Sequence, residues 1–379
     1  MDFNLTDEQI MVRDSIRDFA KQRLAPLAEK ADQEGVMDVE IIKELAELGY
    51  CGICIPSEYG GAGFDTLCYA LAIEEVSKAD ASVGVMLSVT NSPAQLPILD
   101  FGSELLKKTY LPKLASGSSI GAFCLSEANA GSDAASIKTS ADLNGDYYRL
   151  NGRKQFVTNG GIADIFIVFA VTDKSAGSKG ISAFVVEKNF PGFRIGKIEN
   201  KMGLKASSTA EVILEDCRVP KQNLIGEPGQ GYKIALATLD HSRIGIAAQA
   251  LGIAEAAFEQ ALEYSKQRVQ FGRPICQFQA IQFMLSDMAT EIEAARYLVY
   301  HAAWRYDQKQ RVSKEASMAK LFASEMAFRV VHKALQIHGG YGYMKEYPIE
   351  RMYRDQRVTE IYEGTSEVQR IVIANQLLK

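Results

Sequence analysis

Phe166-Ile167-Val168-Phe169-Ala170-Val171-Thr172 and Ile181-Ser182-Ala183-Phe184-Val185-Val186-Glu187 are two short runs rich in Val, Ile and Phe. Their length and their β-branched and aromatic content predict strands rather than helices. The segment 210–214 continues the style, and Asn144-Gly145 and Asn151-Gly152 are dipeptides of the kind that turn β-hairpins. No helical pattern is evident between these runs, so an antiparallel sheet, closed as a small barrel or stacked as a sandwich, is expected over a parallel one. A strand–GxGxxG–helix unit is missing from the sequence, which removes the usual dinucleotide-binding fold.

Outward from this stretch the pattern turns helical on both sides. Toward the N-terminus, Thr6 followed by Gln9 predicts a capping-box start, and apolar residues recur through Ile10, Val12, Ile16 and Phe19. Further helices are expected around 39–48 and 67–79, with the loop Ser57-Glu58-Tyr59-Gly60-Gly61-Ala62-Gly63 between them. Toward the C-terminus, Gly229-Gln230-Gly231 is a natural junction. The segments 247–268, 278–304 and 316–337 then read as long helices on short links, which implies a bundle. The expected architecture is mainly α with a central antiparallel β domain. It comprises an N-terminal helical domain over 1–118, a β-barrel middle domain over 119–228 and a C-terminal helix bundle over 229–379, a division that 379 residues can sustain.

A net charge of −5 advertises no basic face for nucleic acid. A polyanionic ligand would need local cations and helix N-termini instead. The opening Met1-Asp2-Phe3-Asn4-Leu5-Thr6-Asp7-Glu8 has neither the positive start nor the apolar stretch of a signal peptide. With no run of 18 apolar residues either, a cytoplasmic location without membrane attachment is expected. The six cysteines (51, 54, 68, 124, 217, 276) are scattered, and Cys51-Gly52-Ile53-Cys54 lacks the second CxxC or His pair of a zinc site. Reduced thiols and no metal are expected.

Four stretches carry candidate chemistry. Cys124-Leu125-Ser126-Glu127-Ala128-Asn129-Ala130-Gly131-Ser132-Asp133 offers hydroxyls and backbone N–H groups to a ligand, or is simply a polar turn. Phe156-Val157-Thr158-Asn159-Gly160-Gly161 places an aromatic and a hydroxyl on one strand face, although taken alone it reads first as ordinary strand packing. Gln336-Ile337-His338-Gly339-Gly340-Tyr341-Gly342-Tyr343 holds more glycine than a helix C-cap needs, so the backbone can approach a phosphate. His338 and His332 have no metal-ligand spacing and read as structural. Ile361-Tyr362-Glu363-Gly364-Thr365-Ser366-Glu367 contains a carboxylate that, taken alone, reads as a solvated loop residue.

With Arg268-Val269-Gln270-Phe271-Gly272 and Asp240-His241-Ser242-Arg243, these stretches resemble the acyl-CoA dehydrogenase family, in order along the whole chain. The likeness is strongest to the short-chain, butyryl-CoA dehydrogenase branch, through Ile244-Gly245-Ile246-Ala247-Ala248-Gln249-Ala250-Leu251-Gly252 and the segment 361–369. The resemblance implies an FAD enzyme that converts short-chain acyl-CoA thioesters to trans-2-enoyl-CoA. It further implies electron transfer to electron-transferring flavoprotein and assembly as a homotetramer, a dimer of dimers. Glu363 would remove the α proton while flavin N5 takes the β hydride.

By the same resemblance Phe123, Leu125, Ser126, Phe156 and Thr158 would lie along the flavin, and Ser132 where cofactor and CoA meet. Arg268, Phe271 and Gln279 would hold the adenosine diphosphate part across a dimer interface. Gln336, Gly339 and Gly340 would approach the pyrophosphate, and Thr365 and Glu367 would touch FAD. Asp240 and Arg243 would serve the CoA side, with Tyr362 and Gly364 beside the substrate and 86–97 as the floor of the acyl pocket. Some branches place the base directly before the arginine that is Arg243 here; Ser242 cannot do that job, so Glu363 keeps it. Ala128 and Phe156 stand where proline and tryptophan are frequent, and His241 is unexpected. The competing readings are an enoyl-CoA reductase running in reverse and a dehydrogenase of branched or cyclic acyl-CoA. An acyl-CoA oxidase and a flavin-free relative are the others.

Overall fold

The computed structural model describes residues 4–378. Helices α1 (Asp7–Phe19), α2 (Ala28–Glu34), α3 (Val39–Glu47), α4 (Thr66–Ala79), α5 (Ala81–Asn91), α6 (Leu96–Phe101) and α7 (Glu104–Ala115) come first. Strands β1 (Gly121–Cys124), β2 (Ser140–Asn144), β3 (Tyr147–Thr158), β4 (Ile165–Val171), β5 (Ile181–Glu187), β6 (Phe193–Ile198), β7 (Thr209–Pro220) and β8 (Leu224–Ile225) follow. Then come α8 (Gly231–Gln267), the small hairpin β9 (Val269–Gln270) and β10 (Arg273–Pro274), α9 (Gln279–Asp307), α10 (Ser313–His338), α11 (Ile349–Gln356) and α12 (Ser366–Leu377).

The capping box forms: Gln9 N–H donates to Thr6 Oγ1 at 3.3 Å, and the Gln9 side chain accepts from Thr6 N–H at 3.0 Å. Between α4 and α5, Asp80 adopts an extended conformation that breaks the helix, and its carboxylate caps α5 by accepting from Ser82 and Val83 N–H.

The middle sheet is mixed and open, which corrects the expected antiparallel barrel. Its order is β6-β7-β3-β2-β4-β5-β8, with β1 beside β4. β1 runs parallel to β4 from the Gly121–Ile165 pair to Cys124–Val168, and β2 meets β4 in parallel at Ser140–Val171. The cause lies in the two apolar runs, which are buried on both faces. Ile165, Ile167, Phe169, Ala183 and Val185 pack with Leu106, Tyr110, Leu111 and Leu114 of α7. Phe166, Val168, Phe184 and Val186 pack with Tyr148 and Leu150 of β3 and Val212 and Leu214 of β7. Strands covered on both faces read as continuous apolar runs instead of alternating ones; here α7 covers one face and β3 with β7 the other.

Asn144-Gly145 turns β2 into β3, with Gly145 at φ 62°. Asn151-Gly152 does not turn a hairpin. It lies within β3, where the register to β7 slips between Leu150 and Gly152. A Cβ at Gly152 would stand 2.4 Å from Thr139 Oγ1, so the dipeptide marks a bulge under close packing.

Helix α8 begins well before residue 247, where a helix was expected, and packs against α4 and α10. Gly245 permits that approach: a Cβ there would sit 2.0 Å from the Tyr69 hydroxyl. Arg354 of α11 ties three parts of the chain together. It pairs in two bonds with Asp32 of α2 (3.0 and 2.7 Å), in two more with Glu350 (2.7 and 2.9 Å), and donates to the Met202 carbonyl at 3.3 Å. These carboxylates hold its guanidinium well above its usual pKa. Among the described residues no helix is long and apolar enough to cross a membrane, and no cluster of His, Cys, Asp or Glu could hold a metal ion. The six cysteines are free thiols.

Candidate active site

Glu363 lies in the link between α11 and α12, and its backbone conformation is unusual. Glu363 at φ 53° and Gly364 at φ 96° are consecutive left-handed residues. A side chain at 364 would put its Cβ 2.7 Å from Gln369 Nε2, so glycine is required there. Four bonds hold the turn through its carbonyls. Gln369 Nε2 donates to Glu363 O at 3.1 Å and to Gly364 O at 2.9 Å. Arg243 Nε donates to Glu363 O at 3.4 Å, and Lys320 Nζ to Gly364 O at 2.7 Å.

The carboxylate so placed has its Oε2 buried without a hydrogen-bond partner. Burial pushes the Glu363 carboxyl above its ordinary pKa, opposed by the nearby Ser242 hydroxyl and by the cations of Lys320 and Arg243. Arg243 itself is buried and paired with Asp240 at 2.8 Å, one turn away on α8. Asp240 also accepts a short bond from the Ser313 hydroxyl. Tyr362 donates to Gln249 Oε1, and Gln249 in turn donates to the Ala81 carbonyl at 2.8 Å. Thr365 caps α12 by accepting from Val368 N–H, and Glu367 stands exposed in that helix's first turn.

His241 is buried, with Nδ1 2.9 Å from Ser92 Oγ and its ring stacked on Tyr69 at 5.0 Å. Burial pushes its pKa down to about 3, so it is neutral at neutral pH. Tyr69 is hydrogen-bonded to Ser88 of α5 and lies within electrostatic reach of Glu363.

The first two candidate stretches meet. Gln155 N–H donates to the Ser126 carbonyl at 2.9 Å, and the fully buried Lys154 ammonium reaches the Leu125 carbonyl (3.1 Å) and Glu127 (2.8 Å). Phe156 sits at φ 57° beside a register slip between Lys154 and Val157, and its ring is 68% exposed. The bulge thus breaks the simple strand alternation assumed for Phe156 and Thr158. Asn159 binds the strand's end to Gly121 O (3.0 Å) and Met86 O (3.5 Å), joining the sheet to α5. Phe123 packs edge-on against Phe169, and Ser132 is exposed in the connecting turn.

A second site forms where α8 ends and α10 ends. Arg268, Gly339 and Gly340 line a cavity of about 520 Å³ together with Tyr264, His338 and Tyr341. A Cβ at Gly339 or Gly340 would meet nothing within 4 Å, so their backbone faces open space beside the Arg268 cation. That combination suits a pyrophosphate, and the residues present therefore fit FAD. Gln336 and Gln279 are exposed and Phe271 is 95% exposed; none of the three lines this cavity.

Sequence reasoning missed Lys320, Gln369 and Gln249 as partners of the 362–364 turn. Lys320 carried a signal: it interrupts the stripe Ala316, Ala319, Ala323 and Ala327 at helical spacing, where an apolar residue belongs. Gln369 and Gln249 had none.

Comparison with known proteins identifies the family. The acyl-CoA dehydrogenase N-terminal domain matches residues 6–118, the middle domain 122–217 and the C-terminal domain 229–378. Two solved structures superpose on the whole chain and are themselves covered in full, each with a TM-score of 0.99. One comes from a study of the electron transferring flavoprotein of Acidaminococcus fermentans and flavin-based electron bifurcation (55% identity). The other is butyryl-CoA dehydrogenase from Megasphaera elsdenii (51% identity). An acryloyl-CoA reductase (NADH) from Anaerotignum propionicum is 50% identical over 100% of this chain and 96% of its own. Fold and site define an oxidoreductase. The chain belongs to the acyl-CoA dehydrogenase family.

Proposed function

We propose that this protein oxidises short-chain, unbranched acyl-CoA thioesters to trans-2-enoyl-CoA with FAD as cofactor, Glu363 serving as the base. The observation that carries this reading is the buried, unpartnered Oε2 of Glu363 on a rigidly held turn. An α C–H beside a thioester is a very weak acid, and a carboxylate removes its proton effectively only when water is kept away. Burial supplies that condition here, and the four carbonyl bonds fix where the oxygen points. The Glu363 backbone N–H would donate to the thioester oxygen as charge builds on it. Bound FAD supplies the redox chemistry by accepting the β hydride. Arg268, Gly339 and Gly340 would hold its pyrophosphate. Phe123, Leu125, Ser126, Phe156 and Thr158, at the adjoining ends of β1 and β3, would flank its ring.

A short acyl group is supported by the Megasphaera elsdenii likeness. The Acidaminococcus fermentans likeness supports electron-transferring flavoprotein as the partner. The Anaerotignum propionicum reductase favours the reverse direction as the second reading. Exposed Phe271, Phe283 and Trp304 on the C-terminal elements support packing of copies into a homotetramer.

The test is a chain-length series followed by anaerobic bleaching of the flavin absorbance. Bleaching should be fastest at C4 to C6; a maximum at long chains removes the substrate assignment. Protein that is colourless and cannot be loaded with FAD removes the whole reading.

Two further outcomes follow from the geometry. Glu363 must be ionised to act, and its pKa lies above the ordinary carboxylate value. Bleaching should therefore slow as pH falls while exposed carboxylates are still charged; a rate that stays flat down to about pH 4.3 contradicts the assignment. Arg268→Ala should weaken FAD retention about tenfold or more, by removing one charge-assisted contact, while the reloaded enzyme keeps its proton-transfer rate. Dialysis followed by flavin fluorescence reads the first effect and stopped flow the second.

A further inference from the structure

Lys320 enters the mechanism above only through one of the four bonds to the turn's carbonyls, yet its side chain is fully buried in α10, which packs against α8. A methionine would fill such a volume without burying a charge, and burying one is costly. The amine is directed at the base: Nζ donates to the Gly364 carbonyl at 2.7 Å, the carbonyl immediately after Glu363. We propose that Lys320 is a positioning residue for proton abstraction, locking the left-handed Glu363–Gly364 turn through the Gly364 carbonyl and holding the Glu363 carboxylate ionised by its charge. The inference rests on Glu363 being the base.

The backbone of the turn requires such a hold. Consecutive left-handed residues, the first of them not glycine, relax unless surrounding bonds determine them. Gln369 alone would leave Gly364 with a single neutral donor, and Arg243 reaches only the Glu363 carbonyl. The charge acts in addition to the bond. Around the amine, Glu363, Glu360 and Glu367 favour the ammonium while Arg243 and burial oppose it, and burial is the largest of these. The net result brings Lys320 down to about 7, so its charge is exchangeable in the neutral range. While protonated, it favours the carboxylate form of Glu363 against desolvation.

The experiment uses FAD-loaded K320M, K320Q, K320R and E363Q, with anaerobic bleaching by butyryl-CoA measured across pH and crotonyl-CoA binding as the control. K320M should retain FAD and crotonyl-CoA affinity. Its bleaching should slow about ten- to a hundredfold at neutral pH, with the acid limb about one unit higher, because removing a nearby cation raises the carboxyl pKa. K320Q keeps a donor without the charge and should show the shifted limb with a smaller loss of rate. K320R should keep the limb near its wild-type position. Wild-type rates and limbs in both K320M and K320Q overturn the proposal. Should K320M fail to fold, K320Q decides alone by whether its limb moves. E363Q separates the two readings: wild-type bleaching in E363Q removes the base assignment itself, whereas a dead E363Q beside wild-type K320 variants removes only Lys320.

Discussion

Glu363→Gln should retain FAD and bind acyl-CoA normally while anaerobic bleaching falls between about a hundredfold and ten-thousandfold. The amide has nearly the shape of the carboxylate and cannot take a proton. The turn should survive the change, because Arg243 and Gln369 hold the backbone carbonyl of residue 363 and not its side chain. Loss of rate with intact binding therefore isolates the chemical step. Stopped-flow absorbance of the flavin measures it directly. Undiminished bleaching would place the base elsewhere, and Ser242, the neighbouring hydroxyl on α8, has no chemistry to replace it.

Arg354→Ala should produce the largest loss of stability, about 2–4 kcal/mol. It would leave the Asp32 and Glu350 carboxylates, both mostly covered, without the guanidinium they share. Arg354 is itself largely covered, so solvent screens the interaction only in part. The effect should appear in guanidinium chloride as an earlier first transition, because the bonds join α2 and the segment before β7 to α11. A midpoint unchanged from wild type would mean that these contacts are replaced by water without penalty.

Much of the architecture was legible from local chemistry. Thr6 and Gln9 marked the first helix because a capping box satisfies two backbone donors at once. The runs at 166–172 and 181–187 announced strands through side-chain branching alone. Closure of the sheet was not legible, since an apolar run says that both faces are covered without saying by what; α7 and the start of α8 supply one cover and β3 with β7 the other. Asn151-Gly152 misled for a related reason. Glycine serves a turn and a bulge equally, and only Thr139, just before β2, decides between them.

The candidate site was less legible than the fold. Glu363 between Tyr362 and Gly364 has the local character of a loop residue. Its cover comes from α8 and α10, far away in sequence, as well as from the adjoining α12. The cavity around Arg268 is likewise assembled from the segments 264–275 and 337–344. Family likeness supplied what spacing could not, while Lys320 was visible as a charge in an alanine stripe.

At Glu363, the proposed base, turnover and durability make opposite demands. Its φ of 53° is uncomfortable for any side chain beyond Cα, by about 1–2 kcal/mol, and its Oε2 is buried without a partner. A Glu363→Gly chain sheds both burdens, so it should melt no earlier than the natural one while turning nothing over. Selection for heat tolerance alone would drift toward discarding this side chain.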